Sequence, residues 1–205
     1  MVNLEEIAFF FAPPLPPQSG ATLSTLHLLR REAQDCLIGD VVHEDAVVAD
    51  QRRHRLFATT MVLMAGIDLL AKFYAGDDSN GKAGDRIKDF ASRFIFDGAP
   101  SATELAEVLY YGCRNPMLHS FTLHNAKYRI TLTSGFAHGV IRRVRGQNDF
   151  FVVSVEGLFV AFVKACQSYE AALRRSSELQ THFKAMFRRY GTIGTQQFLV
   201  EPVTS

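Results

Sequence analysis

The segment Tyr110-Tyr111-Gly112-Cys113-Arg114-Asn115-Pro116-Met117-Leu118-His119-Ser120-Phe121 sets an arginine, an amide and an imidazole in otherwise apolar sequence. An unpaired Arg or His is costly to bury, so these side chains must line a cleft or find partners. On an unbroken helix Asn115 and His119, four apart, share a face, and Arg114 stands on the adjacent edge. Pro116 lacks a backbone donor and disfavours helical geometry at the residue before it. A kink is therefore expected there, or a restart with Pro116 as a first-turn residue, with Asn115 pushed away from helical geometry. The chemistry this set supports is metal-free cleavage of a phosphodiester. Arginine clamps a phosphate through paired N–H donors, and histidine, with a reference pKa near ~6.5, moves protons at neutral pH. Asn115 is suited to orient the imidazole or to donate to a phosphate oxygen. In-line attack by a ribose 2′-hydroxyl needs a base and an acid, and a symmetric dimer bringing two copies of His119 to one cleft supplies both.

The elements that must hold this segment are mostly helical. Leu23, Leu26, Leu29, Ala33 and Cys36 or Leu37 form one apolar side of a first helix, and the acidic stretch from Gly39 to Asp50 reads as a linker. Leu56, Thr60, Leu63, Ile67, Leu70 and Tyr74 recur at steps of four and three, a single buried stripe on a helix that Gly76-Asp77-Asp78 stops. Asp85 caps a shorter helix with Ile87, Phe90, Ala91 and Phe94 inside, and Ser101 with Glu104 has the capping-box spacing ahead of the motif. From Tyr128 the period changes to two, and two or three short antiparallel strands are expected up to Val155. Leu158, Phe162, Ala165, Tyr169, Ala172, Ser176, Leu179, Phe183, Met186 and Tyr190 then return to helical spacing, on one helix or two broken near Ser176-Ser177.

Arg114-Asn115-Pro116-Met117-Leu118-His119 resembles the signature of the HEPN superfamily (higher eukaryotes and prokaryotes nucleotide-binding domains), an Arg, four intervening residues and a His, with a polar residue after the Arg. The setting is also similar, a long helix and a shorter one preceding the motif helix, and Tyr111 and Ser120 complete the local pattern. The resemblance spans Arg52 to Phe121, reaches the C-terminal helices loosely and hardly touches the first 50 residues. It implies a helical bundle, dimerisation through the motif helices, and a metal-independent endoribonuclease of toxin and antitoxin, antiphage or stress systems that leaves 2′,3′-cyclic phosphate ends. By the same resemblance Arg114 and His119 are the catalytic pair and Asn115 the supporting residue. RNA is the substrate, an antitoxin or regulatory protein is a further partner, and no cofactor is called for. Phe121 stands where one HEPN toxin group has a Tyr modified by AMP transfer, so that regulation is not expected.

The same residues allow other readings. A structural one makes Arg114 and His119 part of a buried ion and hydrogen-bond network, for instance through Asp68. Cys113, His119, His124 and His138 fit no metal-knuckle spacing. Lys127, Arg129, Arg142, Arg143 and Arg145, on and before the hairpin, are suited to grip an RNA backbone, though an edge strand protected by charge has the same composition. The phenylalanines at 150, 151, 159, 162, 183 and 187 fall at strand or helical spacing and read as core. Neither a GxxxxGK[ST] loop nor a GxSxG elbow is present.

With 205 residues, the chain has room for one large domain. The expected fold is mainly α: a HEPN-like bundle of four to five helices with a small antiparallel β insertion at about 128–155. Residues 1–20 are an extended proline-rich arm, 21–190 the domain, and 191–205 a tail. The net charge of +1 hides a split: Met1 to Asp50 carries two arginines against eight acids, −6, and the remainder carries +7. The acidic part is expected to shield the basic body. Three scattered cysteines point to a reducing compartment, and the apolar run from Met61 to Ala75, with Asp68 and Lys72 in it, is short for a bilayer. A cytoplasmic protein without membrane contact is the expectation. The alternative to the enzyme is a non-catalytic helical module for dimerisation or for nucleotide or RNA binding.

Overall fold

The computed structural model describes residues 4–12, 22–38, 48–120, 122–123, 126–134, 140–146 and 150–194, without the side chains of 38, 48–54 and 194. In chain order these form α1 (Leu4–Phe11), β1 (Thr22–Ser24), α2 (Thr25–Ile38), α3 (Val48–Ala75), a 3-10 turn (Asn80–Lys82) and α4 (Ala83–Phe90), which a π-helical turn (Ala91–Ile95) extends. Next come α5 (Ala102–Glu107), a second π-helical turn (Val108–Arg114), α6 (Asn115–Ser120), β2 (Ile130–Thr133), β3 (Ile141–Val144), β4 (Phe150–Ser154), α7 (Val155–Arg175), α8 (Ser177–Tyr190) and β5 (Thr192–Gly194). Counting each π-helical turn with the α-helix it extends, the described residues hold seven helical segments, more than the four or five expected from apolar periodicity. The protein is mainly helical with a small sheet.

The fold is organised around α3. Thr60, Leu63, Ile67 and Leu70 of its expected stripe are buried, and so are Met64, Leu69, Ala71 and Phe73, because α2, α4, α7 and α8 all pack on it. Its stretch Arg55–Ala75 has the length and apolarity to cross a membrane, more than the count from Met61 allowed. Within this fold 56% of its most apolar 18-residue window is buried, as befits a core helix. The helix ends where expected: Gly76 takes a φ of +65° and its N–H donates to the Lys72 carbonyl.

The first residues are not an extended arm. Leu4–Phe11 form a helix with Glu5 and Glu6 in its first turn, and Ile7, Phe10 and Phe11, at helical spacing, enter the core. Burying each such side chain contributes roughly 1.5–3 kcal/mol, which the polar environment of a free arm does not offer. The carbonyls that α1 leaves open at its end are taken up, that of Phe10 by the Ser24 hydroxyl and those of Phe11 and Ala12 by Arg30. Residues 13–20, with the proline cluster, and 39–47 of the acidic linker lie outside the described residues; Val48 to Asp50 already belong to α3. Nor are residues 191–194 part of a tail: β5 pairs antiparallel with β1, Leu23 opposite Ile193, and 195–205 lie outside the described residues. Within residues 1–50 the described helices α1 and α2 thus add Ile7, Phe10, Phe11, Leu26 and Ala33 to the core, while Glu5, Glu32 and Asp35 stay exposed.

The insertion is not purely antiparallel. Its strand order is β2-β4-β3, with β3 antiparallel to β4 but β2 parallel to it, Ile130 opposite Phe151. Period-two alternation fixes the face each side chain takes and is blind to the direction of the neighbouring strand. One face of this sheet lies on the second π-helical turn, where Gly112 leaves room: a Cβ there would stand 2.7 Å from the Ile130 side chain. Ser154 ends β4 and starts α7, its hydroxyl accepting from the Gly157 N–H, and Ser176 does the same for α8 through Leu179. The break near Ser176 was legible as one of two options. Two caps were misread: Asp85 lies inside the first turn of α4 and pairs with Lys88, and Ser101 makes no side-chain cap, Glu104 instead facing the sheet.

Candidate functional site

The motif sits on one continuous helical rod running through α5, the second π-helical turn and α6. Asn115 is fully helical, at φ −66° and ψ −52°, and its N–H donates to the carbonyl of Tyr110, five residues back. This corrects the expectation that Pro116 expels Asn115 from the helix. A proline ring collides with the carbonyl four residues earlier, and the wider π register ahead of it opens that spacing, so the helix accommodates Pro116 in the first turn of α6. Pro116 and Met117 are then buried.

Arg114 turns inward. Its Nη2 donates to Oδ2 of Asp68 on α3 at 3.3 Å, its guanidinium lies 5.8 Å over the Tyr110 ring, and only 14% of its side chain is exposed. Lys72, one turn further along α3, stands 3.9 Å from the same Asp68 oxygen. Two cations thus share one carboxylate and leave an uncompensated positive charge. Moreover, Arg114 Nε and Asp68 Oδ1 are buried without any hydrogen-bond partner. Buried side-chain atoms of Arg30, Thr59, Arg86 and Tyr169 share that state.

His119 is exposed in the last turn of α6, and Asn115, half-buried, lies one turn before it on the same side. From Arg114 to His119 the rod advances roughly 7.5 Å and turns by roughly 140°. Within one chain the guanidinium faces α3 while the imidazole faces solvent; the structure does not bring them into a shared hydrogen-bonded cluster. Cys113 points into the core, and burial pushes its thiol up to about 12. Among the described residues no three His, Cys, Asp or Glu side chains gather as an ion site; His124, His138 and Phe121 lie outside the described residues.

The five basic residues of the insertion separate. Lys127 bonds Glu107 at 3.0 Å and lies 5.2 Å from the centre of the Tyr111 ring; Arg143 reaches Glu104 at 3.8 Å and covers Phe151. Both are latched onto α5. Arg142, one residue along β3 from Arg143, necessarily projects from the opposite face, so the two arginines do not form one grip. Arg129, Arg142 and Arg145 are exposed. Of the phenylalanines read as core, Phe151, Phe162 and Phe183 are buried and Phe159 and Phe187 pack against the core, whereas Phe150 is half-buried on the outer side of β4. Sequence reasoning named Asp68 only as an example and missed Lys72, Glu104 and Glu107. The two glutamates, three apart on one helical face and followed by a basic strand segment, carried a readable signal.

No family model matches the chain, and neither a curated protein nor a solved structure matches it.

Proposed function

We propose that the chain is a HEPN-like, metal-independent endoribonuclease of the cytoplasm, acting as a homodimer with a composite cleft in a toxin and antitoxin or defence setting. The observation that carries this reading is the Arg114, Asn115 and His119 set on one rod, with the guanidinium braced by Asp68 beside Lys72 and the imidazole open to solvent. In the reaction the ribose 2′-oxygen attacks the adjacent phosphorus and the bond to the 5′-oxygen breaks. His119 takes the 2′ proton and the partner subunit's His119 supplies one to the leaving oxygen, giving a 2′,3′-cyclic phosphate and a 5′-hydroxyl. Arg114, with donors not used by Asp68, neutralises the charge that accumulates on the phosphate, and Asn115 orients the imidazole.

The test is incubation of the purified protein with total or transfer RNA in EDTA. Cleavage to cyclic phosphate ends, lost by about 100-fold or more in His119→Ala at unchanged melting temperature, is the expected result, since His119 is exposed and its removal leaves no cavity. No cleavage by the wild type, or equal cleavage by His119→Ala, removes the proposal.

One observation favours a second reading, a non-catalytic module for dimerisation or for nucleotide or RNA binding. Arg114 and Asp68 are both largely buried, as in a pair that serves only to tie the rod to α3. In that case Arg114→Ala loosens the fold or the dimer and no RNA is cut by any form of the protein.

A further inference from the structure

The outer face of the three-stranded sheet differs from the inner one in a way that assigns it a ligand. On the inner face, Ile130, Phe151 and Arg143 form one row and Leu132, Val153 and Ile141 the next, all turned toward the rod. On the outer face Thr131, Val152 and Arg142 form one row and Phe150 and Val144 the next, and Arg129, just ahead of β2 with its carbonyl accepting from the Phe151 N–H, continues that second row by alternation. The inward cations are neutralised by Glu104 and Glu107, whereas among the described residues Arg129 and Arg142 have no acidic partner. Between Tyr128 and Ser154 the sequence holds four arginines and one acid, Asp149. The outer face thus carries two diagonal arginines about 12 Å apart, from strand spacing and rise, with an aromatic ring and aliphatic side chains between them. An edge strand protected against pairing needs the charges but not the ring.

We infer that this outer face binds single-stranded RNA, with Arg129 and Arg142 on backbone phosphates and Phe150 stacked under a base. The inference rests on the ribonuclease reading only for the identity of the ligand and uses neither Arg114 nor His119. Base stacking on an aromatic ring and phosphate pairing are the two contributions a sequence-tolerant single-strand site combines. A duplex, whose bases are already stacked, or an acidic protein gains nothing from Phe150.

The experiment is fluorescence anisotropy of the full chain with a labelled 2′-O-methyl oligouridylate of about 12 nucleotides, within the ~4–16 such sites cover. The 2′-O-methyl group removes the nucleophile, so binding is read without cleavage. Arg129→Ala with Arg142→Ala should weaken binding about tenfold and flatten the salt dependence by about 1.4, two phosphate contacts at ~0.7 each. Phe150→Leu, which keeps the apolar packing, should weaken it roughly tenfold, and Phe150→Tyr should restore it. Lys127→Ala should bind as the wild type does. No binding by the wild type, an unchanged salt slope in the folded double variant, or indifference to Phe150→Leu overturns the inference, the last in favour of a general anion-binding face. Loss of cleavage in EDTA with this binding intact defeats only the ribonuclease reading, and the reverse result defeats only this one.

Discussion

Two sides of α3 are finished by different means. On one, Phe73 stacks on Phe10 with ring centres 4.5 Å apart, and Phe183 and Phe187 close the cluster edge-on to Phe10. Such contacts are satisfied by area and shape alone. On the other, Asp68 meets Arg114 and Lys72, and two buried polar atoms remain unpartnered. The first side rests on apolar contact, even though the Tyr169 ring beside Phe11 buries an unpaired hydroxyl, whereas the second rests on charge and depends on the partners its ions keep.

The strongest way to break this contrast is through the rings. Phe10→Ala should destabilise the protein by about 3–5 kcal/mol in urea unfolding, because it opens a cavity among four aromatic side chains. A loss under about 1 kcal/mol would mean that α1 is dispensable and the two sides are not so different. Next in size, Arg114→Ala should cost about 3 kcal/mol by leaving the Asp68 carboxylate short of its main partner. Combining Arg114→Leu with Asp68→Leu should cost less than Arg114→Ala alone, since no charge is then left buried. A double variant worse than the single would show that the pair stabilises outright. The smallest effect belongs to the latch between sheet and rod. Hydrogen bonding and charge from Lys127, then the hydroxyl of Tyr128, hold the Glu107 carboxyl below the usual glutamate range. A depressed carboxyl adds stability above its unfolded pKa and loses it as the pH falls through the folded one. An NMR titration should therefore show Glu107 ionising at lower pH than an ordinary glutamate, and moving up in Lys127→Ala; coincident titrations in both proteins would remove the latch.

Periodicity made the helix faces legible and left the helix count open. The stripe from Thr60 to Leu70 and the return to helical spacing after Leu158 are as the chain spells them, because each helix needs one apolar side. The fate of Leu4–Phe11 was hidden by the prolines that follow, since local composition says nothing about the ring cluster waiting on α3 and α8. Direction within the sheet was hidden too, for alternation is the same in parallel and antiparallel strands. The candidate site was legible as a set of residue types. Its geometry was not: Pro116 signalled a break, while the π-helical turn that absorbs it, packed against the sheet at Gly112, has no counterpart in apolar periodicity.

The pairing of β1 with β5 bears on how the chain is made. Ser24, whose hydroxyl bonds the end of α1, lies opposite Thr192, roughly 170 residues later. On a ribosome adding ~5–20 residues per second, the apolar side of α1 emerges about 10 to 30 s before α8 and β5 exist to receive it. During that interval Phe10 and Phe11 can meet α2 and Phe73 but not Phe183 and Phe187, so the ring cluster closes only when α8 has been made.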